Sequence, residues 1–443
     1  PVSLPSAPPP GPTLRAFMAR QLLVGVDETR TTDAERESAR ERRQGVYHFF
    51  QVPWQLEQLL LLGYLVCLDA FLFLVTMLPL RFLGALLCLL RRGRLSWLQV
   101  CDAMCVLAMG AVVWALAQID TSQAYHSVKG QAVIKLYVVF NVLEVFDRLL
   151  SAFGQDVLHA LFWSSMARRE WRGRLAVDLG VVVLYLLVHA LVLFYQVVSL
   201  NVAVNSHNNV MITLLVSNNF VELKSNVFKR FEAENLFQVA SADMVERFQL
   251  TCYCLVVALH VLSVHGPAAW AGSSEDGGAL SAVASAVLMV AAAEAAVDWI
   301  KHAFIVRFNG HAPSVYQRFH RVLCRDLSGG ATSGREERQA GPHMVQLGTA
   351  TGASASTRIG FACMPLCCLV LRSVGAFARW LGLHKSLSGA AVMGALFVAL
   401  VALKALVSVC LTGYAAERML ELRARELRAR EAREREEREQ AAE

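Results

Sequence analysis

Five charged side chains lie within long apolar runs of the sequence: Asp69, Glu294, Asp298, Lys301 and Lys404. A charged group at the centre of a bilayer costs about 2.5–3.5 kcal/mol on insertion scales, so such residues are functional candidates by default. Asp69, Glu294 and Lys404 are deepest in their runs and are the better candidates for an ion or proton pathway. They are equally suited to joining helices through hydrogen bonds, and the sequence leaves both interpretations open.

Three polar residues lie one turn apart on one predicted helix: Asp298, Lys301 and His302. At this spacing Asp298 can pair with Lys301 or with His302 inside the helix. The three are near one end of their apolar run, where a long side chain can reach the headgroups. The placement favours a structural ion pair over a transport site.

The stretch 205–237 is the second candidate site. Its polar clusters, 205–209 and 217–219, flank an apolar run that is too short to cross a bilayer, because a spanning helix needs about 20 apolar residues. Beyond the second cluster, apolar residues recur at helical spacing. This pattern predicts either an amphipathic connector or a docking surface for a partner. The predicted docking residues are Phe220, Leu223, Val227 and Phe231.

Motifs for enzymatic chemistry are absent from the sequence. It has no zinc-protease, Walker or glycine-rich nucleotide motif, and Cys252, Cys254 and the scattered histidines do not reach the spacing of a tetrahedral metal site. Most of the 11 cysteines lie in apolar runs, which indicates reduced thiols. We therefore expect no enzymatic activity, no catalytic residue, no cofactor and no bound metal.

Composition indicates the class of protein that must position these residues. Of the 443 residues 55% are hydrophobic and only 18% are charged, and the mean hydropathy is +0.43. Too few charged residues are present to cover a soluble protein of this size. The net charge of +6 is modest, and arginine clusters flank apolar runs, which is typical of topology signals and contacts with membrane lipids and not of nucleic-acid binding.

These features predict an all-α, polytopic membrane helix bundle with about six to seven transmembrane helices and additional amphipathic membrane-surface helices. We expect Pro79 to close the first span and Gly154 to mark a break between two helices. The predicted spans are 59–80, 97–117, 176–204, 248–264, 280–306, 359–377 and 387–414.

The predicted organisation has five parts. They are a disordered region (1–45), a core membrane domain (46–326) with amphipathic segments at 131–163 and 205–237, a flexible linker (327–357), C-terminal spans (358–416) and a charged cytosolic helix (417–443). The chain begins at Pro1 and not at Met, which is consistent with a fragment of a longer protein. The loop 266–278 has no Lys or Arg, whereas 301–338 and the tail are rich in Arg, so we expect the loop on the lumenal side and the other two in the cytosol.

Several unusual strings of the sequence resemble the transmembrane anterior posterior transformation protein family of eukaryotic multi-pass membrane proteins. The similar strings, which extend over roughly 46–325, are 69–81, 130–163, 205–231, 243–250 and 297–309. The resemblance implies an endoplasmic-reticulum membrane protein without enzymatic activity. It also implies a membrane-protein partner with a SUN-like domain, as in fungal relatives, and a link to cilia and skeletal patterning, as in animal relatives.

Together these observations favour a membrane scaffold or adaptor of the endoplasmic reticulum that assembles with another membrane protein, with a role in protein quality control or in ciliary and developmental processes. The alternative is an ion- or proton-coupled transporter or channel that uses the buried charges.

Overall fold

The chain folds as a bundle of helices. The computed structural model describes residues 33–93, 95–131, 133–166, 172–204, 229–230, 232–265, 277–329 and 353–442, and these contain no strand. The helices of this part are α1 (Asp33–Leu72), α2 (Leu78–Arg92), α3 (Trp97–Ala117), α4 (Thr121–Lys129), α5 (Val133–Met166), α6 (Arg172–Val204), α7 (Ala233–His265), α8 (Gly277–Asn309), α9 (Ser314–Gly329), α10 (Ala353–Ile359), α11 (Cys363–Trp380) and α12 (Leu387–Ala442).

The first helical segment is longer than predicted at both ends. It begins at Asp33, inside the region predicted to be disordered, and it does not end at Pro79. A single π-helical turn, Phe73–Met77, joins α1 to α2 and ends two residues before that proline. The wider turn accommodates a residue that has no backbone N–H and would clash with the preceding turn, so the chain continues as helix.

The predicted break at Gly154 is wrong, because α5 runs unbroken from Val133 to Met166. Gly154 is instead the place where α5 and α6 approach each other. A Cβ atom at this position would lie 1.9 Å from the Tyr185 hydroxyl of α6. α5 packs along α6 and also against α3, so the amphipathic pattern of 131–163 corresponds to an interhelical position.

Two large apolar cores organise the described part of the bundle. The larger one combines α1 with α7, α8, α9 and the C-terminal half of α6. The other combines the π-helical turn and α3 with the C-terminal part of α5 and the N-terminal half of α6. α6 and α11 contribute to both cores and thereby hold them together.

Two boundaries in the C-terminal half also differ between the prediction and the structure. The predicted linker overlaps the end of α9 and most of α10, because helix continues to Gly329 and resumes at Ala353. The charged tail is helical and continuous with the last span, as one helix of 56 residues. His320 of α9 lies 3.2 Å from the Tyr414 hydroxyl of α12. α9 and the start of the tail therefore lie at the same end of the bundle. This agrees with the expectation that both are on the same side of the membrane.

Six helices of the described residues are long and apolar enough to cross a membrane, which agrees with the predicted membrane bundle. They are Arg43–Arg91, Trp97–Ala117, Leu175–Ala203, Ala233–Val264, Cys363–Trp380 and Leu387–Gln440. The predicted span at 280–306 is helical and lies within α8, but α8 is not one of the six. The count is therefore at the lower end of the predicted range.

Candidate functional site

Two of the five predicted charges meet across the bundle. Lys404 of α12 donates to a carboxylate oxygen of Asp69 at 2.6 Å, and Ser408 donates to the same oxygen at 2.7 Å. Asp69 is 1% exposed and Lys404 is 4% exposed. The charges compensate each other inside the domain, and the pair fastens α12 to α1.

Asp298 and Lys301 belong to a larger cluster that also contains Asp243. The Lys301 ammonium lies 3.0 Å from Asp298 and 2.8 Å from Asp243 of α7. Lys301 is only 1% exposed, so it does not extend to a surface as its position near the end of an apolar run had suggested. An ammonium held between two carboxylates in this way is a structural link between α7 and α8.

His302 continues this cluster towards α9. Its Nε2 atom lies 2.7 Å from the second oxygen of Asp243 and its Nδ1 atom lies 2.8 Å from the Tyr316 hydroxyl. Burial raises the pKa of Tyr316 well above its usual range, and nearby Asp243 acts in the same direction, so the hydroxyl keeps its proton. Because an ionised carboxylate only accepts, Nε2–H donates to Asp243, and Nδ1 shares a hydrogen bond with the Tyr316 hydroxyl.

Arg247 extends the cluster to α1. Its guanidinium lies 3.1 Å from Asp298 and 2.8 Å from Glu57, and Trp299 donates to the other oxygen of Glu57 at 2.9 Å. We call this set of residues the closed cluster, because most of its charged groups are buried and each named carboxylate contacts a cation. Its members are Glu57, Asp243, Arg247, Asp298, Lys301, His302 and Tyr316.

The combination of Asp, His and Tyr that Asp243, His302 and Tyr316 form occurs a second time, between α5 and α6. His189 Nε2 lies 2.7 Å from Asp147 and its Nδ1 lies 3.1 Å from the Tyr185 hydroxyl. Gln249 of α7 donates to the other oxygen of Asp147 at 3.0 Å. Asp147 therefore has its hydrogen bonds supplied by an imidazole and an amide.

Asp147 borders a cavity of about 670 Å³ between α5, α7 and α8. The fifth predicted charge, Glu294, is half-buried and lines the same cavity. The other four predicted charges are not among the residues that line it. Other polar residues on the wall include Glu144, Arg148, Gln196, Glu246 and Tyr253. Glu144 and Arg148, one turn apart on α5, form an ion pair here, at 2.7 Å.

Arg372 of α11 is a buried cation that sequence reasoning missed. It donates to the carbonyl oxygens of Leu116 at 2.8 Å and Ile119 at 2.7 Å, and its guanidinium lies 4.6 Å from the Phe194 ring centre. The last carbonyls of a helix have no partner within the helix, and a cation there also suits the helix dipole. An arginine near the middle of a predicted span was the signal available in the sequence.

α12 packs on the domain along one face only. In its most apolar stretch 6% of the residues are buried, against 28–56% in the other five candidate spans. Lys404, Leu411 and Ala415 are buried and share one face of the helix. The opposite face carries small exposed residues at helical spacing, listed here: Ala391, Ala395, Ala399 and Ala402. We call this face the alanine face.

The predicted docking residues Phe220, Leu223, Val227 and Phe231 lie outside the described residues. Asp243, Arg247 and His189 were not among the predicted site residues, although they complete the two polar clusters. Asp243 and Arg247 are spaced one helical turn apart in an apolar helix, which was a signal of a buried polar face. Within the described part of the chain, His, Cys, Asp and Glu form no group suited to a metal ion.

Comparison with known proteins identifies relatives. The profile of a eukaryotic membrane protein family matches residues 95–420. The chain is 39% identical over 349 residues to the Transmembrane anterior posterior transformation protein 1 homolog of Xenopus laevis, covering 76% of this chain and 60% of the relative. It is 38% identical over 387 residues to the homolog of Danio rerio, covering 84% of this chain and 64% of the relative.

The mouse Transmembrane anterior posterior transformation protein 1 is 36% identical over 425 residues, with 92% of this chain and 71% of the relative covered. The chain thus spans about three fifths of the length of the first two relatives. No solved structure matches the chain.

Proposed function

Because the chain belongs to the transmembrane anterior posterior transformation protein family of multi-pass membrane proteins, we propose that it is a non-enzymatic scaffold of the endoplasmic-reticulum membrane. In this role it assembles with another membrane protein, which we expect to carry a SUN-like domain. The observation that carries the proposal is the alanine face of α12, which points away from the face that Lys404 attaches to the domain.

Packing in a membrane explains why this face suits a partner helix. Lipid tails are as apolar as leucine side chains, so exposed apolar surface alone does not drive two helices together. Small residues favour helix association, because they allow the two backbones to approach closely. Ala391, Ala395 and Ala399 recur at intervals of four residues and are all exposed. The proposed occupant is the transmembrane helix of the partner.

The buried charges support the same proposal. Asp69, Asp298, Lys301 and Lys404 form short ion pairs inside the domain. A pathway for ions needs sites that release their ion again, whereas these carboxylates are already neutralised by fixed cations. The transporter alternative rests on Glu294, which lines a cavity.

Co-purification tests the scaffold proposal. The protein is co-expressed with a tagged SUN-like-domain membrane protein and captured in mild detergent. The variant Ala395→Leu/Ala399→Leu keeps an apolar helix but places two bulky side chains on the alanine face, so we expect recovery of the partner to fall at least about tenfold. Ala390→Leu is the matched control, because Ala390 is exposed on the other side of α12. Undiminished recovery with the double variant would overturn the proposed docking face.

Glycosylation mapping tests whether the chain lies in the endoplasmic-reticulum membrane and which of its loops face the lumen. An engineered Asn-linked acceptor site within 266–278 should be modified in the endoplasmic reticulum, whereas one within 330–352 should not. The reason is the asymmetry of Lys and Arg between the two regions. Modification of the second site and not of the first would invert the proposed orientation.

A further inference from the structure

We propose that a cavity between α6, α7 and α11 binds a phosphate group at Arg372. The phosphate belongs to a phospholipid headgroup or is free inorganic phosphate. We call this space the arginine cavity. The lining residues on which the proposal depends are Thr121, Val256, His260, Arg372, Phe377 and Trp380.

Arg372 is a buried cation that contacts no carboxylate in the described part of the chain. Three Lys or Arg side chains are buried there: Lys301, Arg372 and Lys404. Lys301 and Lys404 contact carboxylates at 2.8 Å and 2.6 Å. Arg372 is 7% exposed, and its hydrogen bonds go to two carbonyl oxygens and one hydroxyl. Because a buried charge is costly unless it is paired, this position is the one at which an anion lowers the free energy most.

The hydrogen bonds of Arg372 leave one amino group of its guanidinium available. Nε donates to the carbonyl oxygen of Leu116, and Nη2 donates to the carbonyl oxygen of Ile119 and to the Thr121 hydroxyl. A guanidinium has five N–H donors, so the two on Nη1 remain. They donate to no residue that the structure describes. Since Arg372 lines the cavity, these two donors are available to the oxygens of a phosphate, which arginine binds strongly.

The charges near Arg372 do not replace an anionic ligand. Among the described residues, Asp120 and Arg379 act on Arg372 with opposite charges, so their effects offset each other. The Asp120 carboxylate caps α4, where it accepts from the backbone N–H of Ser122 at 2.9 Å. Neither Asp120 nor Arg379 lines the cavity. The guanidinium therefore sets the sign of the charge on the wall, and that sign favours an anion.

The position of the arginine cavity in the bundle indicates where the phosphate comes from. Three candidate spans end beside it, at Ala117, Val264 and Trp380. Spanning helices end where the hydrocarbon of the bilayer meets the headgroups, and tryptophan is enriched at this level. Trp380 lines the cavity. The cavity is therefore at the depth at which the phosphate groups of phospholipids lie.

The size and the wall of the cavity suit a headgroup. Its volume of about 210 Å³ exceeds the roughly 10–15 Å³ that one water needs and is below the roughly 300 Å³ of the smaller drug-sized sites. The Thr121 hydroxyl and the His260 ring can each donate to a phosphate oxygen. Val256 and Phe377 supply apolar wall for the carbon atoms next to the phosphate.

The experiment measures thermal unfolding of the full chain, purified in a non-ionic detergent and depleted of lipid. Three additions are titrated separately: dioctanoyl phosphatidylglycerol, dioctanoylglycerol with the same chains but no phosphate, and inorganic phosphate. We expect phosphatidylglycerol to raise the Tm by about 2 °C or more near saturation, and dioctanoylglycerol to have no such effect. A rise with inorganic phosphate as well shows that the free ion suffices, whereas a rise with the lipid alone assigns the phosphate to the membrane.

Two arginines of α11 make the result specific. Arg372→Gln removes the proposed phosphate ligand, so we expect the apparent affinity for phosphatidylglycerol to fall at least about tenfold. Arg379→Gln is the matched control, because Arg379 is exposed and does not line the cavity. It removes the same charge from the same helix and should change the affinity less than about twofold.

A second variant covers the case in which Arg372→Gln does not fold. His260→Glu places a carboxylate inside the arginine cavity, where it can pair with Arg372 in place of the ligand. We expect this variant to keep the Tm of the ligand-free wild-type protein and to lose the response to phosphatidylglycerol.

Four results would overturn the proposal. They are no rise with either phosphate compound, an equal rise with dioctanoylglycerol, an equal loss of affinity in the two arginine variants, and a full response to phosphatidylglycerol in Arg372→Gln or His260→Glu.

Discussion

The closed cluster and the contact of α5 with α6 at Asp147 contain the same Asp–His–Tyr arrangement in different surroundings. In both, an imidazole lies between a carboxylate at 2.7 Å and a tyrosine hydroxyl at about 3 Å. In the closed cluster the carboxylate also contacts Lys301, whereas between α5 and α6 it contacts the amide of Gln249. The comparison teaches that one hydrogen-bonding unit joins helices at both places. The partner of the second carboxylate oxygen, an ammonium in one place and an amide in the other, distinguishes the two sites.

The largest expected effect comes from removing the cation of the closed cluster. Lys301→Met leaves Asp243 and Asp298 buried near each other without the ammonium between them. We expect a loss of about 3–5 kcal/mol in the free energy of unfolding, as for other buried pairs that lose one partner. Thermal unfolding in detergent measures it. Lys385→Met, at an exposed position, is the control and should change the Tm little.

A loss below about 1 kcal/mol for Lys301→Met would mean that the two aspartates do not depend on this ammonium, and the distinction between the two sites would then fail.

An intermediate effect is expected where α5 and α6 approach at the second Asp–His–Tyr unit. Gly154→Ala places a methyl group 1.9 Å from the present position of the Tyr185 hydroxyl, which must move away from His189. We expect a cost of about 1–3 kcal/mol from this overpacking. Gly180→Ala on α6 meets no atom within 4 Å and should stabilise the helix by about 0.5–1 kcal/mol.

Equal Tm values for the two alanine variants would show that the close approach at Gly154 does not hold Tyr185 in place.

The smallest effect concerns the two tyrosine hydroxyls. Tyr316→Phe and Tyr185→Phe each remove one hydrogen bond to a buried histidine, and we expect about 0.5–1.5 kcal/mol from each. The value for Tyr316 should be the larger, because its distance is 2.8 Å against 3.1 Å and it is fully buried. Chemical or thermal unfolding of the two variants side by side provides the test. A larger loss for Tyr185→Phe than for Tyr316→Phe would indicate that the hydrogen bond in the closed cluster contributes less than the one at His189.

Helical periodicity and hydropathy predicted the fold class, because both depend on residues close together in the sequence. The predicted helix ends were wrong where the surrounding structure overrides a local sequence signal. A proline usually ends a helix, but here the π-helical turn that precedes Pro79 accommodates its ring. Gly154 weakens an isolated helix, yet here it allows α6 to approach α5.

The partners of the charged residues were beyond prediction for the same reason. Asp69 and Lys404 are 335 residues apart in the sequence, and Asp243 and Lys301 are 58 apart. Spacing along one helix predicted the pair Asp298–Lys301, but for His302 it gave Asp298 as the partner instead of Asp243 of another helix. Long-range pairing depends on how helices dock, and a single sequence contains no direct record of that.

The central claim is that Asp243 of the closed cluster depends on an internal cation, whereas Asp147 is held by an imidazole and an amide. It is tested most directly by the Tm values of Asp243→Asn and Asp147→Asn. We expect Asp243→Asn to lower the Tm more, because it takes a charged partner from Lys301 and His302. Asp147→Asn should lower the Tm less, because Asp147 takes its hydrogen bonds from His189 and Gln249. Equal decreases in both variants would contradict the claim.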